Sequence, residues 1–227
     1  PMFYPDYQPV SDPAARARFE ALWGAELDPE PGLTVVEITD AIHDGSIKGL
    51  YVMGENPAMS DPNLSHARAA LAKLKHLVVQ DIFLTETACY ADVVLPASAW
   101  PEKDGTVTNT NRQVQMGRRA VPPPGSARPD LWIIGEMAKG LGLDWDYLGP
   151  EAVFEEMRQG MDSIRGMSWQ RLLSEDTITY PCDGPDDPGQ AVISAMVSPP
   201  RTAGDASFPA TSPIPMNCPT PIIPWCC

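Results

Sequence analysis

Four places in this sequence carry polar residues where binding chemistry could arise: Gly54-Glu55-Asn56, Gln80-Asp81, Lys103 and Asp130. The first two directly follow short apolar runs, Lys103 lies in the loop after a third, and Asp130 opens a helical pattern. Gly54 would let a ligand approach the backbone, and Asn56 offers both donors and an acceptor. The same residues also make an ordinary strand-to-loop turn. Asp81 suits either the capping of a following turn or the acceptance of two parallel N–H bonds, such as the adjacent ring and amino donors of a guanine. Lys103, close to Gly105, either meets a phosphate as a point charge or is simply solvated. Asp130 reads first as a helix N-cap.

Other reactive residue types form no constellation. His43, His66 and His76 are isolated, and the five cysteines (Cys89, Cys182, Cys218, Cys226 and Cys227) have no spacing that fits a zinc site or an iron–sulfur cluster. Cys89 reads as a small buried hydrophobe rather than a nucleophile. With no credible reactive centre, the residues point to a domain that binds something, with a nucleotide as one candidate.

The elements that must position these residues alternate. Ser11-Asp12-Pro13 predicts a helix start, followed by an apolar stripe of Phe19, Leu22 and Trp23. Val35, Ile38 and Ile42 stand at helical spacing and stop at Gly45. Ile47 to Met53 reads as a buried strand, Leu64, Ala67, Leu71 and Leu74 as a helix face, and His76 to Gln80 as a second strand. Thr85 to Tyr90 predicts a turn or two of helix, Asp92 to Leu95 a third strand ended by Pro96, and Thr106 to Gln115 an extended stretch. A last helix carries Leu131, Ile134, Met137, Ala138 and Leu141. This order predicts an α/β fold, a Rossmann-like parallel sheet with flanking helices, whose ligands bind beyond the carboxyl ends of the strands.

Composition divides the 227 residues into three regions. Residues 1–148 read as the globular α/β part, 149–190 as an acidic helical linker, and 191–227 as an irregular tail with eight prolines and three cysteines. Sixteen Lys and Arg against 30 Asp and Glu give a formal net charge of -14, which argues against nucleic acid or an anionic membrane as partner. No run of 18 apolar residues could span a bilayer. The acidic composition suits the cytoplasm, and the opening Pro-Met-Phe is expected not to be the natural start.

Three strings then appear in order: GLYVMGENPAMSDPNLSHARAAL, HLVVQDIFLTETACYADVVLPASAWPEKDGTVTNTNRQVQ and PPGSARPDLWIIGEMAKGLGLDW. Together they resemble the molybdopterin oxidoreductase family, nearest to the catalytic alpha subunits of molybdenum- or tungsten-dependent formate dehydrogenases. The resemblance covers residues 1–190 and implies the later part of a dinucleotide-binding domain. That family carries a bis(molybdopterin guanine dinucleotide), or bis-MGD, cofactor with Mo or W. By resemblance Gly54, Glu55 and Asn56 line the cofactor groove, Gln80 and Asp81 meet the guanosine end, and Lys103, Asp130 and Thr85 occupy cofactor-contacting positions. The metal ligand and iron–sulfur cysteines of the family lie upstream of this region. The expectation is therefore a piece of a catalytic subunit, inactive by itself, whose partners are the rest of that subunit and iron–sulfur or flavin electron-transfer subunits. The rival expectations are a nitrate-reductase-like or complex I-type homologue, and a non-catalytic nucleotide-binding or assembly module.

The tail departs from the resemblance. Joining the last base of each codon to the first two of the next forces Gly from Met196-Val197, Glu from Met216-Asn217 and Leu from Asn217-Cys218. It also forces Val from Trp225-Cys226 and Leu from Cys226-Cys227, and all five residues suit the family's continuation. A frameshift near residues 191–195 is therefore expected, with a non-packing tail after it.

Overall fold

The computed structural model describes residues 2–191; the expected frameshifted tail lies outside the described residues. A short antiparallel pair, β1 (Phe3–Tyr4) and β2 (Gln8–Pro9), leads into helices α1 (Pro13–Trp23) and α2 (Val35–Asp44). Next come β3 (Gly49–Met53), α3 (Pro57–Ser60), α4 (Leu64–Leu71), β4 (His76–Asp81) and β5 (Val93–Pro96). The hairpin β6 (Gly105–Thr108) and β7 (Gln113–Gly117), helices α5 (Asp130–Gly140), α6 (Pro150–Gly160) and α7 (Trp169–Glu175), and strand β8 (Thr177–Thr179) complete the order.

Local chemistry explains the helix ends. Asp12 caps α1 through Ala14 N, with Pro13 in the first turn where a missing N–H costs nothing. Thr34 and Glu37 form a reciprocal capping box on α2. Gly45 ends that helix at φ 86, a left-handed conformation that glycine adopts without strain.

The parallel sheet has the order β3-β4-β5, with Met53 opposite Gln80 and Asp81 opposite Pro96. Its core comprises Val52, Ala58, Leu71, Leu77, Val79 and Ala88, so α3 and α4 cover one face. This is the expected parallel sheet flanked by helices. The extended stretch after Gly105 is an antiparallel hairpin, to which β8 adds a third strand.

The acidic segment expected as a linker packs here. Phe154, Trp169, Leu172 and Ile178 share a core with Val114 of β7. Arg18 of α1 reaches across to Asp162 through two N–H···O bonds of 3.1 Å each.

Three local expectations are corrected. Cys89 is exposed, and among the described residues the buried thiol is Cys182, whose pKa burial pushes up. His43 and His66 are not isolated, because their rings stack at 4.1 Å between α2 and α4. Asp130 does not cap its helix: Pro129 holds the N-cap position and no side-chain cap forms.

Candidate functional site

The carboxyl ends of β3, β4 and β5 bring the predicted residues to one edge of the sheet. Gly54 leaves β3 at φ 64, and its N–H donates to the Gln80 carbonyl at 2.9 Å. No atom stands within 4 Å of the place a Cβ would occupy at Gly54, so the turn opens the backbone there. Asn56 is fixed by its neighbours. Its Oδ1 accepts from Thr87 N at 3.1 Å and from Thr87 Oγ1 at 2.8 Å, while its amide donates to Glu86 at 2.7 Å. That donor holds the Glu86 carboxyl below the usual range. Thr87 Oγ1 in turn accepts from the buried N–H of Ala58 at 3.0 Å. Glu55 is exposed beside this loop.

Gln80, Lys103 and Asp130 converge although they are far apart in sequence. Gln80 is fully buried at the end of β4, and its Nε2 donates to Asp130 Oδ1 at 2.6 Å. Lys103 donates to the other oxygen, Oδ2. The side chains of this pair are only 12% and 7% exposed, so the lysine is neither free nor simply solvated. Tyr51, in the middle of β3, donates its hydroxyl to Gln80 Oε1. Both Asp130 oxygens are thus used inside the fold, and its carboxylate sits in the first turn of α5, where the helix dipole favours negative charge.

Asp81 and Thr85 do local work. Asp81 Oδ1 accepts from Phe83 N at 3.0 Å, which is the turn-capping alternative; no bond to its Oδ2 forms among the described residues. Thr85 Oγ1 accepts from Ala88 N at 3.2 Å. Just past Asp81, Phe83 and Leu84 are 72% and 77% exposed. At the end of β5, Ser98 Oγ is buried with no hydrogen-bond partner. A cavity of about 240 Å³ adjoins Lys103 and is walled by Glu102, Arg119 and Pro129, among others.

Sequence reasoning did not single out Tyr51, Thr87, Glu86 or Ser98. A tyrosine inside the apolar run of β3 is the available signal, because a half-buried phenol needs a partner for its hydroxyl. Among the described residues no group of three His, Cys, Asp or Glu could hold a metal. No helix among them is long and apolar enough to cross a membrane.

A parallel α/β sheet with polar side chains gathered at the carboxyl ends of its strands is the class that fold and site define. The profile of the molybdopterin oxidoreductase family matches residues 12–140, and the chain belongs to that family. It is 46% identical over 195 residues to the F420-dependent formate dehydrogenase subunit alpha of Methanocaldococcus jannaschii. It is 42% identical over 196 residues to the F420-dependent formate dehydrogenase 2 subunit alpha of Methanococcus maripaludis. Each alignment covers 85% of this chain and 28% of the relative, so the chain spans under a third of the length of these relatives. The solved structure of acetylene hydratase from Pelobacter acetylenicus shares the fold, with a TM-score of 0.57 at 21% identity, over 85% of this chain and 27% of that one.

Family membership implies a molybdopterin cofactor carrying a metal. Three features of the edge leave space or a polar atom for part of such a group. The backbone at Gly54 is open, Asp81 keeps an unpartnered carboxylate oxygen, and Ser98 has a buried hydroxyl without a partner.

Proposed function

We propose that this chain is part of the catalytic subunit of a formate dehydrogenase and forms part of the site for one of its two pterin guanine dinucleotides. The observation that supports the reading is the placement of Gly54, Asn56, Gln80, Asp81, Lys103 and Asp130 at one strand edge, in a molybdopterin oxidoreductase. The relatives' names add the substrate: both are named formate dehydrogenase alpha subunits.

In this reading the chain binds and orients, and takes no bond-making part. Asp81 accepts the paired N–H donors of the guanine, which a carboxylate matches geometrically. The open turn at Gly54 and the Asn56–Thr87 clasp set the wall of the groove. Glu55 and Thr85 flank it. The Lys103–Asp130 pair holds the β5–β6 loop against α5 and presents one cation near the phosphates. The bound metallopterin, with Mo or W, supplies the two-electron chemistry that turns formate into carbon dioxide. Iron–sulfur or flavin subunits take the electrons, in the cytoplasm.

The test is composition of the whole protein that carries this sequence. Acid hydrolysis should release guanosine monophosphate, metal analysis should find Mo or W, and formate should reduce an added dye. Asp81→Ala should lower the guanosine monophosphate content while the protein still folds. A folded whole protein with neither guanosine monophosphate nor metal overturns the reading. Guanine nucleotide without Mo or W would instead make it a nucleotide-binding assembly module.

A further inference from the structure

The polar chain behind the site has a fourth member that no ligand-facing role explains. Tyr51 OH donates to Gln80 Oε1, Gln80 Nε2 donates to Asp130 Oδ1, and Lys103 donates to Asp130 Oδ2. The four side chains come from β3, β4, the β5–β6 loop and the first turn of α5. A glutamine amide has two faces of nearly equal shape but opposite hydrogen-bonding character. If the amide of Gln80 turned over, its oxygen would face the Asp130 carboxylate, acceptor against acceptor. Gln80 is fully buried, so water cannot relieve such an error. The Asp130 carboxylate, which only accepts, sets the orientation of the amide, and the Tyr51 hydroxyl, donating to the amide oxygen, anchors its other side in that orientation.

We infer that Tyr51 is a positioning residue for the dinucleotide site, acting through Gln80 to fix Asp130 and, through Asp130, Lys103. The inference rests on the function proposed above. It adds that retention of the guanine dinucleotide depends on a phenol on the neighbouring strand. The contact is a neutral hydrogen bond in a satisfied network, so its loss should weaken retention by about 2- to 10-fold.

The experiment uses the whole protein, purified with its cofactor, and follows guanosine monophosphate content during dialysis. Tyr51→Phe removes the hydroxyl and keeps the ring. The expected result is loss of the nucleotide about 2- to 10-fold faster than from the wild type. In a Gln80→Met background, Tyr51→Phe should add nothing, because the residue it acts through is gone. If Gln80→Met does not accumulate, melting supplies the same discrimination. A positioning residue lowers the melting temperature of the cofactor-loaded protein more than that of protein made without cofactor. Unchanged retention in Tyr51→Phe, an equal loss in both backgrounds, or equal melting shifts with and without cofactor would overturn the inference. A wild-type protein that never carries guanosine monophosphate overturns the function proposed above instead, which keeps the two failures distinct.

Discussion

Removing the Asp130 carboxylate should destabilise the sheet edge more than removing the whole ion pair. In Asp130→Ala the Lys103 ammonium, 12% exposed, keeps its charge and loses its counter-ion, and the buried Gln80 amide loses its acceptor. Truncating one partner of a buried pair costs about 3–5 kcal/mol. Lys103→Met leaves Asp130 charged with only the Gln80 amide, and should cost a similar amount. The double variant Lys103→Met with Asp130→Leu removes both charges. What remains is one unsatisfied amide, worth about 1–3 kcal/mol. The double variant should therefore be more stable than either single one, with a coupling of at least about 2 kcal/mol. Amide hydrogen exchange on the whole protein reads this locally, in peptides covering β4 and the first turn of α5. A loss of 3 kcal/mol speeds exchange there by about two orders of magnitude where opening limits it. Single variants that each cost under about 1 kcal/mol, and add in the double, would show a solvated pair and refute the argument.

Three other outcomes follow from the geometry. Thr87→Val deletes the acceptor of the buried Ala58 N–H and the donor to Asn56, so it should loosen residues 54–60 by about 1–3 kcal/mol; exchange of those amides checks it. Gly189→Ala should destabilise the packing of the β8 end, because its φ is 81 and a Cβ would stand 1.8 Å from the Thr179 carbonyl oxygen; thermal melting of the variant measures this. The Arg18 guanidinium holds the Asp162 carboxyl below its ordinary 3.8. A depressed folded-state pKa gives stability that is present above the unfolded value and lost as pH falls through the folded one. Melting temperature followed downward from pH 6 should thus fall less steeply in Asp162→Asn. The carboxylate is 57% exposed, so the effect should be under about 1 kcal/mol and vanish in high salt.

What the sequence made legible is what local periodicity encodes. The strands His76–Asp81 and Val93–Pro96 stand where short apolar runs put them, and the α4 helix where apolar residues recur at helical spacing. The α1 cap falls on Asp12 as its dipeptide with Pro13 suggests. The hairpin pairing of β6 with β7 was visible only as extended chain, and β8 was not visible, since three residues with Thr at both ends carry no period. Cys89 illustrates the limit in the other direction. Its small size and sulfur favour burial on average, yet it is exposed in a short turn, and among the described residues the buried thiol is Cys182, in the acidic segment after residue 148.

Asp130 shows why the site was only half legible. An Asp before an apolar run has a strong local meaning, a cap worth about 1 kcal/mol. The structure discards that bond because better partners arrive from 27 and 50 residues away. A charge-assisted bond to a lysine in a nearly dry site outweighs a cap that water could replace. No window of sequence holds that comparison, since each partner alone looks ordinary: a surface lysine, a glutamine at a strand end, a tyrosine in an apolar strand. The parallel register is what brings them together, by ending β4 beside β5 and setting Met53 opposite Gln80. The pattern of apolar residues therefore located the carboxyl edge of the sheet. The polar chemistry behind that edge exists only once the strands are in register.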